Sequence, residues 1–274
     1  MSHIAITISL PDELKDILIA QLADAEYEGF EETHEQLVAY IPEGLFDEQA
    51  LNAVLAPHLL KYTKESIANT NWNAVWESNF EPVQVEGFCG IRADFHAPMG
   101  QSVQHEIVIT PKMSFGTGHH ATTYSMIKLM QDIDFQGKIV FDFGTGTGIL
   151  AILAEKLGAV KADAIDIDEW AVNNSIENVA ANESTKVAVW QADSLEAING
   201  PYDIVLANIN RNILLRFMQD MRRLLPQDGI LLLSGFLTED EAVITKSALD
   251  NGFEFERKAQ IENWLAMQFK VKNN

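Results

Sequence analysis

At 274 residues the chain is long enough to bury a large core and to fold as two domains. Nineteen Lys plus Arg stand against 40 Asp plus Glu, a net charge of -21 that repels phosphate backbones, so no direct nucleic-acid partner is expected, and that either attracts a basic protein or serves solubility alone. Cys89 is the single cysteine, which excludes an internal disulfide and a cysteine-based zinc site; no apolar run is long enough to span a bilayer and the first residues do not read as a signal peptide, so a cytoplasmic protein without a membrane partner is expected.

The first 66 residues read as a small α+β unit. Ile4, Ile6, Ile8 and Leu10 alternate over His3 to Leu10 and predict a strand with one buried face. Pro11 and Asp12 open a helix to about Leu22. Strands follow at Gly29 to Thr33 and Leu37 to Ile41, then a helix from Asp47 to Leu60 and a strand from Lys61 to Ile67. The order βαββαβ is that of a ferredoxin-like sandwich. His34 and His58 stand apart, and no cluster of catalytic residues is present. By analogy with other site-free small domains, 1–66 reads as a substrate-recognition module. Residues 67–79 read as a linker helix, with Trp72 and Trp76 four apart on one face. Residues 80–274 then form the catalytic domain.

The loop Pro111 to Thr123, PKMSFGTGHHATT, lies between a predicted strand at Glu106 to Thr110 and a helix starting near Ala121. Phe115, Gly116, Thr117 and Gly118 make a flexible turn able to close over a cofactor and exclude water. His119 and His120 are adjacent and point apart at a helix start, which argues against a metal. Thr122 or Thr123 can offer a hydroxyl to a cofactor carboxylate or cap the helix.

Residues 140–148, VFDFGTGTG, form a strand ending in Asp142 and three alternate glycines, Gly144, Gly146 and Gly148, before a helix running to Leu157. Glycine lets a ligand approach the backbone, and the helix start offers unpaired N–H donors. The spacing is G-x-G-x-G and not the G-x-G-x-x-G of a pyrophosphate site. Asp142 places an anion where an ammonium or sulfonium is welcome. Together they resemble motif I of S-adenosylmethionine-dependent, Rossmann-like methyltransferases, with a nicotinamide-dependent dehydrogenase or a plain glycine turn as alternatives.

The strand KADAIDID, Lys161 to Asp168, brings Asp166 about twenty residues past the glycines, where a ribose-binding carboxylate belongs, while Asp168 caps the helix Glu169 to Ala181. Ile167 or Trp170 can cover an adenine face or belong to the core. Asp193, after a strand at Lys186 to Trp190, can reach the adenine amino group or stand as a solvated turn residue. Asp203 to Ala207 reads as a buried strand with Asn208 at its carboxyl end, where reacting groups sit in open α/β sheets. Ile209, Asn210 and Arg211 follow, without the Pro-Pro-aromatic that stacks a base or planar amide, so an aliphatic amine is the expected acceptor; Asn208 as an ordinary turn residue is the alternative. Gly229 to Phe236 continues the sheet, Thr238 to Asn251 is a helix, and Phe253 to Arg257 with Trp264 to Val271 form a closing antiparallel hairpin.

The segments MSFGTGHHATT, DFGTGTGILAI, DID and ANI, with WNAVWESNFEP between the two units, resemble in this order the bacterial methyltransferases of ribosomal protein L11 over nearly the whole chain. The resemblance implies a class I methyltransferase domain, mostly parallel with an antiparallel C-terminal hairpin, behind a ferredoxin-like recognition domain. It implies S-adenosylmethionine as cofactor and transfer to lysine side chains and the N-terminal α-amine of L11. A monomer is expected. Thr123, Gly144, Asp166 and Asn208 would hold the cofactor, with the Phe115 to His119 loop closing over it and Asn208 serving the reaction. Methyl transfer to another protein or to RNA is the remaining alternative.

Overall fold

The computed structural model describes residues 3–33, 35–67, 80–110, 112 and 116–273. The expected linker helix with Trp72 and Trp76, His34, and Phe115 therefore lie outside the described residues. The chain divides into two compact units, Met1–Ser78 and Asn79–Asn274.

In the first unit, β1 (His3–Ser9), α1 (Lys15–Ala23), β2 (Gly29–Thr33), β3 (Gln36–Pro42), α2 (Glu48–Leu55) and β4 (Tyr62–Ile67) follow the expected βαββαβ order. The sheet runs β2-β3-β1-β4 with every pairing antiparallel, a ferredoxin-like topology. Ile4, Ile6 and Ile8 pack with Leu18, Leu22, Leu51 and Leu55 from the two helices. Asp47 caps α2 by accepting the Gln49 and Ala50 N–H groups at 2.8 and 3.3 Å. The helix ends at Leu55, five residues short of the sequence expectation. Pro57 has no N–H to continue the ladder, so the chain passes through a 3-10 turn at Ala56–His58 and reverses at Leu59 with φ 55°.

The second unit is built on a seven-stranded sheet. Its elements are β5 (Val83–Val85), β6 (Cys89–Ala93), β7 (His105–Ile109), α3 (Ala121–Met130), β8 (Ile139–Phe143), α4 (Ile149–Lys156), β9 (Lys161–Asp166), α5 (Glu169–Ala181), β10 (Val187–Gln191), β11 (Ile204–Asn208), α6 (Arg211–Leu224), β12 (Ile230–Leu237), α7 (Glu241–Asp250), β13 (Phe253–Ile261) and β14 (Trp264–Val271). The order is β10-β9-β8-β11-β12-β14-β13. The strands β10 to β12 pair in parallel, and β14 and β13 close the edge antiparallel. β5, β6 and β7 form a separate three-stranded sheet.

Both faces of the large sheet are covered, which is why its strands read as continuous apolar runs. Val140, Ala162, Ala164, Leu206 and Leu232 pack on one side with Met126, Ile127 and Ile152. Phe141, Phe143, Ile165, Val205 and Leu231 pack on the other with Leu214, Phe217, Met221 and Ile244. The chain leaves β8 toward β9 and returns to β11 on β8's other side. That reversal opens a crevice at the carboxyl ends of β8 and β11.

Candidate active site

The glycine turn is held by the neighbouring strand. Gly144 and Thr145 both donate N–H to Ile165 O at 2.9 Å, bending the chain off the end of β8. Gly144 has φ +73°, and a Cβ there would stand 2.1 Å from Ile209 Cγ2, so the turn has no room for a side chain. Gly146 N–H donates to Asp166 Oδ2 at 2.9 Å, and Ser175 Oγ on α5 donates to Gly146 O at 2.7 Å. The expected ribose carboxylate therefore sits directly against the glycine turn.

Asp166 Oδ1 accepts the Asp168 N–H at 3.1 Å. A carboxylate offers about four lone-pair sites, so acceptor capacity remains for a ribose hydroxyl. Burial holds its pKa above the ordinary carboxylate range. Asp168 caps α5 as expected, accepting Trp170 N–H at 2.8 Å. Ile167 and Trp170 are 68% and 52% exposed, which removes the core alternative for both. Ile167 O receives Gln191 Nε2 at 2.8 Å. Asp193 is exposed in the turn after β10, next to Ala192, whose N–H donates to Asp166 O at 3.0 Å.

Asp142 is 1% exposed and accepts one side-chain hydrogen bond, from Thr145 Oγ1 to its Oδ2 at 2.6 Å. Its Oδ1 is buried without a partner. Burial pushes its pKa up to about 7, and Asp166 adds to the rise. Asn208, at the end of β11, is 8% exposed; its Nδ2 donates to Thr123 Oγ1 on α3 at 3.3 Å, and its Oδ1 is likewise buried and unpaired. Asp142 pairs across the sheet with Leu206, two residues before Asn208. By the two-residue period of a strand, both unpaired acceptors face the same side of the sheet. An ammonium, a sulfonium or an amine N–H answers such acceptors, so the residues fit a cationic nucleoside cofactor and an amine.

The second loop meets the first through Thr147, whose Oγ1 donates to Gly116 O at 2.7 Å. Gly118 has φ +95° and is pressed against Ile91, whose Cδ1 a Cβ would approach to 2.4 Å. Thr117 is buried with Oγ1 3.3 Å from His119 Nδ1. His119 meets the Phe80 ring edge-on at 4.7 Å, and burial lowers its pKa. His120, not a threonine, caps α3, accepting Thr122 N–H at Nδ1 at 3.3 Å. That corrects the capping alternative and leaves Thr123 facing Asn208. Cys89 is buried in the core. Among the described residues no group of three His, Cys, Asp or Glu can hold a metal ion, and no helix is long and apolar enough to cross a membrane.

Sequence reasoning passed over the braces behind these loops. Thr145, Thr147, Ser175 and Asn178 each tie the glycine turn to a neighbour. Their one visible signal was the spacing of asparagines at 174, 178 and 182 on a single helix face.

Comparison with known proteins agrees with this geometry. The family model described as ribosomal protein L11 methyltransferase (PrmA) matches residues 5–272. A ribosomal protein L11 methyltransferase of Porphyromonas gingivalis is 42% identical across 98% of both chains. One of Bacteroides thetaiotaomicron is 40% identical across 94% of both. The crystal structure of a ribosomal protein L11 methylase from Lactobacillus delbrueckii subsp. bulgaricus, 26% identical, superposes with a TM-score of 0.65 over 71% of this chain and 99% of that one. The chain belongs to the ribosomal protein L11 methyltransferase family.

Proposed function

We propose that the chain transfers methyl groups from S-adenosylmethionine to amino groups of ribosomal protein L11, at lysine side chains and the N-terminal α-amine. The observation that carries this reading is the buried, unpaired Asn208 Oδ1 at the sheet edge beside the glycine turn. The turn at Gly144 and Gly146 gives the backbone approach. Asp166 takes the ribose hydroxyls, Ile167 and Asp193 border the adenine, and Thr123 with the 115–117 segment holds the amino-acid end. Asp142 supplies negative charge toward the cofactor's cationic groups.

The cofactor, when bound, supplies a methyl group on a sulfonium, which an in-line amine lone pair can accept. The protein's task is to present that amine neutral, although at pH 7 roughly one lysine in a few thousand is so. A desolvated cavity favours the neutral form, and Asn208 Oδ1 accepts an N–H so that the lone pair points away from it. No general base is required beside Asn208. The proton lost from the product ammonium passes to solvent. The first unit, with its own core and no catalytic cluster, serves as the recognition module. The acidic surface suits a basic protein partner, and we read the enzyme as a cytoplasmic monomer without direct nucleic-acid contact.

Incubation with labelled cofactor and undermethylated ribosomal protein tests the reading. Label in L11 is expected. Label in RNA alone, or tight binding of NAD with none of S-adenosylhomocysteine, would refute it.

A further inference from the structure

Helix α5 and its C-cap carry asparagines at 174, 178 and 182, spaced so that all three face one side. Two of them clamp β7 and the residue that follows it. Asn182 Oδ1 accepts Val108 N–H at 2.9 Å while its Nδ2 donates to Val108 O at 2.6 Å. One helical turn earlier, Asn178 Oδ1 accepts Thr110 N–H at 2.8 Å while its Nδ2 donates to Thr147 O in the glycine turn at 2.8 Å. A helix rises about 6 Å over four residues and an extended chain about 6.6 Å over two. From Asn182 to Asn178 one turn toward the start of α5 therefore matches the two residues from Val108 to Thr110.

The next asparagine in this spacing is Asn174, and the next residue of the series is Lys112. Asn174 is wholly buried, and neither its Oδ1 nor its Nδ2 has a hydrogen-bond partner. The Lys112 side chain already crosses this stretch of α5. Its ammonium pairs with Glu177 and lies 5.9 Å from the Trp170 ring centre, and these residues flank Asn174 on the helix. We propose that Asn174 is a positioning residue whose carboxamide takes the backbone of Lys112 in the cofactor-loaded protein. Lys112 is thereby fixed against α5.

The coupling to the cofactor runs through bonds already present. Asn178 joins Thr110 to Thr147 O, and Thr147 Oγ1 holds Gly116 O, so one residue of the glycine turn is tied on both sides of Lys112. Any tightening of that turn around a nucleoside is passed to Lys112. A buried amide with neither end paired weakens the free protein. A rung made only with cofactor bound turns that penalty into affinity.

The inference rests on the cofactor reading above, and full-length protein with S-adenosylhomocysteine tests both. Calorimetric titration and amide exchange at Lys112 are the readouts. Asn174→Leu is expected to bind about five- to tenfold more weakly, the loss of one buried hydrogen bond, and to lose the exchange protection that the ligand gives Lys112 in the wild type. Its melting temperature without ligand should be unchanged or higher, because two unpaired polar atoms are gone. Lys112→Pro, which removes the N–H, should reproduce the loss. Lys112→Ala, which removes the Glu177 pair and the Trp170 contact but keeps the N–H, should bind as wild type. Wild-type affinity and Lys112 protection in Asn174→Leu, whatever its melting temperature, overturn the proposal and leave Asn174 a packing or water-holding residue. No binding in the wild type overturns the cofactor reading as well.

Discussion

Replacing Asp142 by Asn should uncover a pH dependence that the site's burial imposes. An ordinary aspartate titrates at 3.8, whereas Asp142 in the folded chain is pushed up to about 7 by burial, Asp166 being the one charged neighbour that acts on it. Below about pH 4 it is protonated in both folded and unfolded chains and contributes nothing. Between pH 4 and 7 the unfolded chain has lost this proton while the folded chain keeps it, so stability falls as pH rises. Above about pH 7 the full penalty stands. At about 1.4 kcal/mol per pH unit it reaches about 4 kcal/mol.

The carboxamide of Asp142→Asn would be neutral throughout, so the variant's gain over wild type should grow from near zero at about pH 4 to about 4 kcal/mol at about pH 8. Urea denaturation of both proteins across that range measures the difference without interference from the other carboxylates. Equal slopes for the two proteins would refute the reasoning. The same charge acts in binding. A cationic cofactor favours the ionised form, so S-adenosylmethionine should expel close to one proton at about pH 6 and almost none at about pH 8. Calorimetry in buffers of different ionisation enthalpy counts that proton. The variant should bind more weakly and release none.

Three further outcomes are expected. Gly144→Ala puts a Cβ 2.1 Å from Ile209 Cγ2 at φ +73°, where non-glycine residues already cost about 1–2 kcal/mol; S-adenosylhomocysteine affinity should fall at least about tenfold, and near-normal affinity would show that this turn is not the site. Asn208→Ala should lower kcat on L11 by roughly a hundredfold, the scale of a misplaced reactant, with only a small change in S-adenosylhomocysteine affinity; unchanged turnover at saturating substrate would mean that Asn208 does not orient the amine. Removing residues 1–66 should leave cofactor affinity intact, because the second unit has its own two apolar clusters, while raising KM for L11; unchanged KM would remove the recognition role from the first unit.

What the sequence made legible was local. The strand, glycine turn and helix at 139–156 announce themselves by adjacent residues, as do the Asp168 cap and the alternation in β1. Asp166 could be placed because the distance between a first strand's turn and the end of the next is set by one crossover. The three-stranded sheet was not so legible. β5 has three residues, and β6 pairs in parallel with β7, so its evidence is spread over separate segments. Helix α6 went unread although Leu214, Phe217, Met218 and Met221 mark its buried face with ordinary helical spacing. The bond from Asn208 to Thr123 spans 85 positions and that from Thr110 to Asn178 spans 68, and no local pattern encodes either.

The unpaired atoms share one cause. Asp142 and Asn208 sit on neighbouring central strands whose remaining positions on that face are apolar, Val140 and Leu206 among them. Polar groups at such positions would ordinarily be bonded, and each unpaired one costs the fold about 1–3 kcal/mol. Thr145 and Thr123 do not remove that cost, since each engages one end of its partner and leaves Oδ1 unpaired. What they do is fix direction. Thr123 uses the donor end of the Asn208 amide, so the end left unpaired is an acceptor, which suits an N–H and repels a carbonyl. Thr145 likewise occupies Oδ2 of Asp142 and leaves Oδ1 as the oxygen that a cation would satisfy. The selectivity for an amine and a cationic donor thus follows from which half of each side chain the neighbouring hydroxyl has already occupied.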